Sequence, residues 1–222
     1  MQNIDFFFVL QAWPALLKGL KVTLELTSWA NIIGLTAGFV LALAATGTLG
    51  AIRIPARGYI DFFRCTPALV QIVWFFFCVP MLFNVFWTPV LMGIVVLGMN
   101  LSAFNAEAFR ASMQALPSAQ ADAAIALGLS PWTRTIYVVL PQALRNAMPV
   151  LITNAIGIFQ QSSLVALVGV QDLMYQGKLL STQTYRPIET FTFLALFYLG
   201  VSVPFGRLAA YVEHRKAYLQ LG

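Results

Sequence analysis

The sequence predicts an all-α protein that crosses a membrane about five times. Hydrophobic residues make up 59% of the 222 and charged residues only 9%, where soluble domains carry about 25% charge. The apolar residues gather in runs of about twenty, the length that spans a bilayer as helix. Proline, glycine and basic residues collect between the runs, where turns and headgroup contacts belong. One transmembrane domain over residues 1–222 accounts for the whole chain.

Residues 4 to 20 are apolar but interrupted by Pro14, and they end at Lys18 and Lys21. They are expected to lie at the interface as a helix. The first charge is Asp5 and no basic stretch precedes the apolar run, so the first span is expected to serve as its own insertion signal. That span runs from about Val22 to Ala45. Gly34 and Gly38 form a G-x-x-x-G pair that lets helix backbones approach closely, within the chain or toward another subunit. Glu25, near the outer end, is an interfacial carboxylate paired with Lys21 or a polar lining of a substrate path.

Residues 46 to 58 read as a loop. The second span follows from about Tyr59 to Phe83, with Pro67 breaking its backbone bonding. A helix interrupted at membrane depth is tolerated where it is buried or lines a cavity. Asp61 and Arg64 stand at i and i+3 and can pair. Cys65 and Cys78 lie on this one predicted helix, roughly 20 Å apart along its axis, too far for a disulfide. After a tight loop, Asn84 to Thr88, the third span runs from about Pro89 to Arg110. Glu107 near its inner end is placed to pair with Arg110 or with Arg64.

A polar, proline-punctuated island fills about residues 111–147. Ser118 is placed to cap a short helix that Gly128 stops, and Ser130 with Pro131 starts a second that Pro141 closes or kinks onward. Each is about ten residues, too short to span, so a bent hairpin protrudes from the membrane. The fourth span, about Met148 to Val168, carries Gln160-Gln161-Ser162-Ser163 at or just beyond its centre. A loop from about Gln171 to Pro187 leads to the fifth, about Ile188 to Ala209, and a polar tail. Gln71, Asn100 and Gln160 come to similar depth. Buried amides mark a pathway or hydrogen-bond to each other as interhelical glue.

Of 13 basic residues, nine fall on the hairpin's side of this topology. The positive-inside rule then places the hairpin and C-terminus in the cytoplasm and the N-terminus outside. The +5 net charge is no argument for nucleic acid. The hairpin resembles a helix-turn-helix, but its second helix holds one basic residue, Arg134, where phosphate contacts need several. No phosphate-cradling glycine loop and no metal-ligand cluster is present, and the one histidine, His214, sits in the tail.

Several separate segments carry a family resemblance. Asp122-Ala123-Ala124, then Gly128-Leu129-Ser130 and a later Leu-Pro, is similar to the EAA motif of ABC importer permeases. Tyr59-Ile-Asp-Phe-Phe-Arg-Cys-Thr-Pro-Ala-Leu-Val-Gln71 resembles the FRGTPLLVQ segment of the polar amino acid branch, and Phe104-Asn-Ala-Glu-Ala-Phe-Arg110 its YxAEIFRGG segment. Gly169-Val-Gln-Asp-Leu173 and Tyr185-Arg-Pro-Ile-Glu189 also resemble it. The chain departs from the pattern at Asp122 for the motif's glutamate, at Cys65 for a glycine, and at Gln160 and Gln161, where many relatives carry a base and an aspartate.

The resemblance implies a type I, MetI-like permease in a bacterial inner membrane, with no catalytic site and no cofactor of its own. ATP and Mg²⁺ would be bound by a partner ATPase, against which Asp122, Ala123, Ala124, Gly128, Leu129 and Ser130 would dock. A periplasmic binding protein and a second permease subunit, identical or paralogous, are the other implied partners, with the lipid bilayer around them. The residues set aside for a substrate path are Glu25, Gln71, Asn100, Gln160, Gln161, Ser162 and Ser163. A channel working without an ATPase would need rings of charge or carbonyls that the spans do not offer. A scaffold would leave the midplane amides silent for uptake.

Overall fold

The computed structural model describes Phe8 and residues 12–220, less the side chains of residues 118, 120, 121, 131, 132 and 214–220. Apart from Phe8, residues 1–11, with Asp5 and most of the expected interfacial segment, lie outside the described residues, as does the His214 side chain. The described chain is helical. Among the described residues four helices are long and apolar enough to cross a membrane, and a bent pair makes a fifth if the two together form one span.

Helix α1 spans Trp13–Thr46 without a break, so the separate interfacial helix expected up to residue 20 is corrected. Pro14 stands in the first turn, where its missing N–H has no intrahelical partner to lose. At 34 residues and 1.5 Å per residue, α1 is about 50 Å long, well beyond the hydrocarbon core.

The expected loop at 46–58 is mostly helix: α2 spans Gly50–Cys65 and α3 Ala68–Phe83. The second span is therefore two helices meeting at 107°, with Thr66 and Pro67 extended between them. Cys65 and Cys78 fall on different helices, and both are free thiols.

Helix α4 covers Pro89–Gln114, one turn longer than expected. The hairpin is α5, Ser118–Ala126, and α6, Pro131–Arg134. Pro141 does not close the second helix. The chain widens into a π turn, Thr135–Val139, continues as α7, Leu140–Gln161, and tightens into a 3₁₀ segment, Ser162–Val168. The expected loop near 171–187 contains α8, Leu173–Thr184, and α9 runs unbroken over Pro187–Gln220, taking in the tail.

Helices α1 and α4 form the most extensive pair, and glycine makes their approach possible. A methyl on Gly34 would collide with the Leu101 side chain, and one on Gly38 would stand 2.8 Å from the Asn105 Cβ. Returning the compliment, Gly93 and Gly98 of α4 receive Leu26 and Ile33 of α1. Lipid supplies no hydrophobic drive between helices, so close van der Waals fit carries the association. The glycine pair thus packs inside the chain, not at a subunit boundary.

The register also fixes topology. Leu26, Gly34 and Gly38 meet Gly93, Leu101 and Asn105 in ascending order, so α1 and α4 run parallel. The bent α2–α3 pair must therefore return the chain to its starting face. Helix α8 lies on that face: Asp172 meets Gly19, and the backbone N–H of Leu173 donates to Thr23 Oγ1 at 3.0 Å. The hairpin lies on the other.

Candidate functional site

Three regions bring polar chemistry together: the hairpin, a cleft beside it, and the α2–α3 elbow. In the hairpin, the C-terminus of α5 closes by backbone geometry alone. Leu129 N–H donates to Ala124 O at 3.1 Å and Gly128 N–H to Ile125 O at 2.9 Å. With Gly128 at φ +73°, this is a Schellman turn, which only a residue tolerant of left-handed backbone allows cheaply. The next helix is capped at once: Ser130 Oγ accepts from Thr133 N–H at 3.2 Å. Two stiff helices thus share a joint with no loose residue between stop and start.

Asp122, Ala123, Gly128 and Ser130 are exposed, and Leu129 is half-buried. Ala124 is buried. Ile125 and Leu127, which the sequence reading did not single out, are 57% and 79% exposed. Apolar side chains on a polar protrusion are the signal that would have found them.

The cleft, about 710 Å³, opens on the hairpin's side between α4 and the start of α7. Arg64, Phe104, Glu107, Asn146, Asn154 and, from α9, Glu213 contribute to its wall. Glu107 is the hub. Arg110 Nε donates to it at 2.8 Å, and Arg64 reaches it at 3.7 Å while lying over the Phe104 ring. Arg64 therefore pairs across helices with Glu107, not along its own helix with Asp61. Asn154 donates to Asn105 Oδ1 at 3.0 Å, tying α7 to α4 at the cleft floor. Neither asparagine was among the expected pathway residues; their inward spacing on α4 and α7 was the available signal.

The expected pathway residues separate into groups. Gln71 and Asn100 are buried and joined, with Asn100 Nδ2 donating to Gln71 Oε1 at 2.9 Å. Gln160 is exposed and donates to Ser202 Oγ of α9 at 3.1 Å. Ser162 and Ser163 donate back to Phe159 O and Gln160 O, each at 2.7 Å. Gln161 is half-buried. Glu25 is exposed on the far face of α1 beside Lys21 and Trp29.

On the face opposite the hairpin, Asp172 is fully buried and caps α8 by accepting from Tyr175 N–H at 2.9 Å. Burial pushes its carboxyl up to about 6, against the pull of backbone N–H groups at Tyr175 and Met174. Among the described residues no cluster of histidine, cysteine or carboxylate side chains suits a metal ion.

Residues 34–218 match the model of a protein family described as "Binding-protein-dependent transport system inner membrane component". The chain is 29% identical to a glutamate/aspartate import permease protein, GltK, of Escherichia coli over 224 residues, covering 98% of this chain and all of the relative. It is 31% identical to the glutamine transport system permease protein GlnP of Escherichia coli over 222 residues, with the same coverage. Its fold superposes on a solved amino acid ABC transporter, crystallised with histidines, at a TM-score of 0.90 and 32% identity, covering 96% of this chain and 100% of that one.

Proposed function

The chain belongs to the binding-protein-dependent transport system inner membrane components, and from that premise we propose that it carries an amino acid inward as the membrane-spanning half of an ATP-driven importer. The observation that carries this reading is the hairpin. A Schellman turn abutting a capped helix transmits a push without absorbing it, and its exposed Ile125 and Leu127 suit a groove on a partner.

In this reading, Asp122, Ala123, Gly128, Leu129 and Ser130 meet a separate ATPase chain, which binds ATP and Mg²⁺. Ala124, being buried, is left out of that contact. Alternating access follows when closure of the ATPase pair moves the hairpin and, through α7, the wall of the cleft. The membrane is the cytoplasmic membrane of a bacterium, with the hairpin inside and the N-terminus outside. A binding protein delivers cargo at the opposite face, where Asp172 and α8 lie, and a second permease subunit completes the path.

The cleft offers donors from Arg64 and two asparagines, and also two carboxylates, Glu107, already held by two arginines, and Glu213. Its charge alone therefore does not select the cargo. The preference for an uncharged or acidic amino acid rests on the relatives named for glutamate/aspartate and for glutamine.

The test is reconstitution with a matching ABC ATPase and amino acid binding protein, followed by uptake of labelled amino acids into proteoliposomes. ATP-dependent accumulation of glutamine, glutamate or aspartate is expected. Flux without ATP, or uptake confined to arginine and lysine, would overturn the reading.

A further inference from the structure

The elbow between α2 and α3 is a sharp break between two helices, and such breaks leave carbonyls without partners. Pro67 has no N–H to give, and the 107° bend carries the next turn away. The carbonyls of Phe63 and Thr66 are therefore left without helical partners, and each needs another donor. One side chain collects them: Gln71 Nε2 donates to Phe63 O at 2.9 Å, to Thr66 O at 3.1 Å and to Thr66 Oγ1 at 2.6 Å. Its own oxygen accepts from Asn100 Nδ2 of α4, which also reaches Phe63 O at 3.4 Å.

Both amides are almost fully buried, at 4% and 3% exposure. One turn back along α2, the Tyr59 hydroxyl reaches Met99 O at 3.0 Å and Ser102 Oγ at 2.9 Å on the same helix. The end of α2 is thus held to α4 at two successive turns. Arg64, next to the second of those holds, is the residue that arches over Phe104 toward Glu107 in the cleft wall.

We infer that Gln71 and Asn100 are positioning residues: together they lock the α2–α3 elbow to α4, so that the elbow travels with α4 as one body during transport and Arg64 keeps its place in the cleft wall. The pair does not touch cargo. Its donors and acceptors face each other and the broken backbone, not the cleft. An elbow left without them would hinge at Thr66 and Pro67, and motion arriving from the hairpin would be dissipated there.

The chain carries its own reporters. Its only two cysteines are Cys65, at the end of α2, and Cys78, on α3. Spin labels on both report the elbow angle as a distance, read in the complete importer with unlabelled subunits in excess so that only distances within one chain are seen. A narrow distribution, unchanged between resting and nucleotide-trapped states, is expected for the native chain, and a broadened one for Gln71→Leu. A native distance that shifts between states, or a Gln71→Leu distribution as narrow as the native one, would overturn the proposal. The comparison of native with Gln71→Leu needs neither cargo nor nucleotide, so that arm stands or fails separately from the transport reading, on which the comparison of states rests.

In uptake assays, Gln71→Leu and Asn100→Leu are expected to lower the maximal rate by about tenfold or more with half-saturation unchanged. The exchange Gln71→Asn with Asn100→Gln keeps the amide pair and the summed reach, and is expected to recover most of the rate. A raised half-saturation at unchanged maximal rate would mark the amides as cargo ligands and overturn the proposal.

Discussion

Gly38 of α1 stands so close to Asn105 of α4 that a methyl group on the glycine would lie 2.8 Å from the asparagine Cβ and 2.9 Å from Ser102 O. Neither atom can retreat, because one belongs to the backbone and the other is fixed beside it. The parallel contact between these helices sets the height of Asn100, Asn105 and Glu107, and with them the elbow and the cleft.

Gly38→Val is therefore expected to destabilise the protein by about 1–3 kcal/mol, the range for overpacking a filled interior. Gly34→Val meets the Leu101 side chain at its root, with the Leu101 Cβ 2.7 Å from the added methyl and as fixed as the Asn105 Cβ, and is expected to cost a similar amount. Thermal unfolding of detergent-solubilised protein measures both. A variant at either glycine as stable as the native protein would mean that the close approach of α1 and α4 does not depend on it.

Glu107 is predicted to couple unequally to its two arginines. Arg110 holds it at 2.8 Å through Nε, whereas Arg64 stands at 3.7 Å with 38% of its side chain exposed. Double-mutant cycles on stability should give about 1–2 kcal/mol for Glu107 with Arg110 and below about 1 kcal/mol for Glu107 with Arg64. The reverse order would place the cross-helix pair, not the local one, in charge of the cleft wall.

Asp172 makes stability depend on pH. Its carboxyl, pushed up to about 6 by burial, holds a proton that the unfolded chain would release near 4. The folded state binds the proton more tightly, so stability is greatest below about pH 4 and falls as pH rises through 6, by at most about 3 kcal/mol. Asp172→Asn keeps an oxygen for Tyr175 N–H and removes the titration. Unfolding measured between pH 4 and 8 should show the variant gaining on the native protein up to about pH 6.5 and holding a constant lead above it. Parallel curves would show that the buried carboxyl titrates elsewhere.

Much of this architecture was legible in the residues. Gly34 and Gly38 announced a close helix contact, Pro67 a broken span, and Gly128 with Ser130 and Pro131 a stopped and restarted hairpin. What escaped was length and angle. Pro14 read as a break because its position in the helix, first turn or interior, decides its effect, and position is not written in composition. The α2 stretch read as a loop because its arginines and Gly50, Pro55 and Gly58 hide the spacing of Ala56, Ile60 and Phe63, which are buried. For the candidate site, the amides at mid-depth were visible, but their partners were not. Gln71 and Asn100 face each other because the elbow turns 107°, a quantity that local preference does not encode.

Gly128 separates the hairpin's shape from its chemistry. Its φ of +73° lies where a β-branched residue is strained, yet nothing stands within 4 Å of where a Cβ would be. Gly128→Val thus meets no steric neighbour, and its whole effect is on backbone conformation, about 1–2 kcal/mol against the Schellman turn. Relief of that strain would swing α5 relative to α6 and carry Ile125 and Leu127 away from their docking positions. The expected result is normal abundance in the membrane with uptake largely lost. Gly128→Asn should be milder, since asparagine tolerates the left-handed region. If valine and asparagine impaired uptake equally, bulk at the contact surface and not the angle of the joint would be what the partner reads.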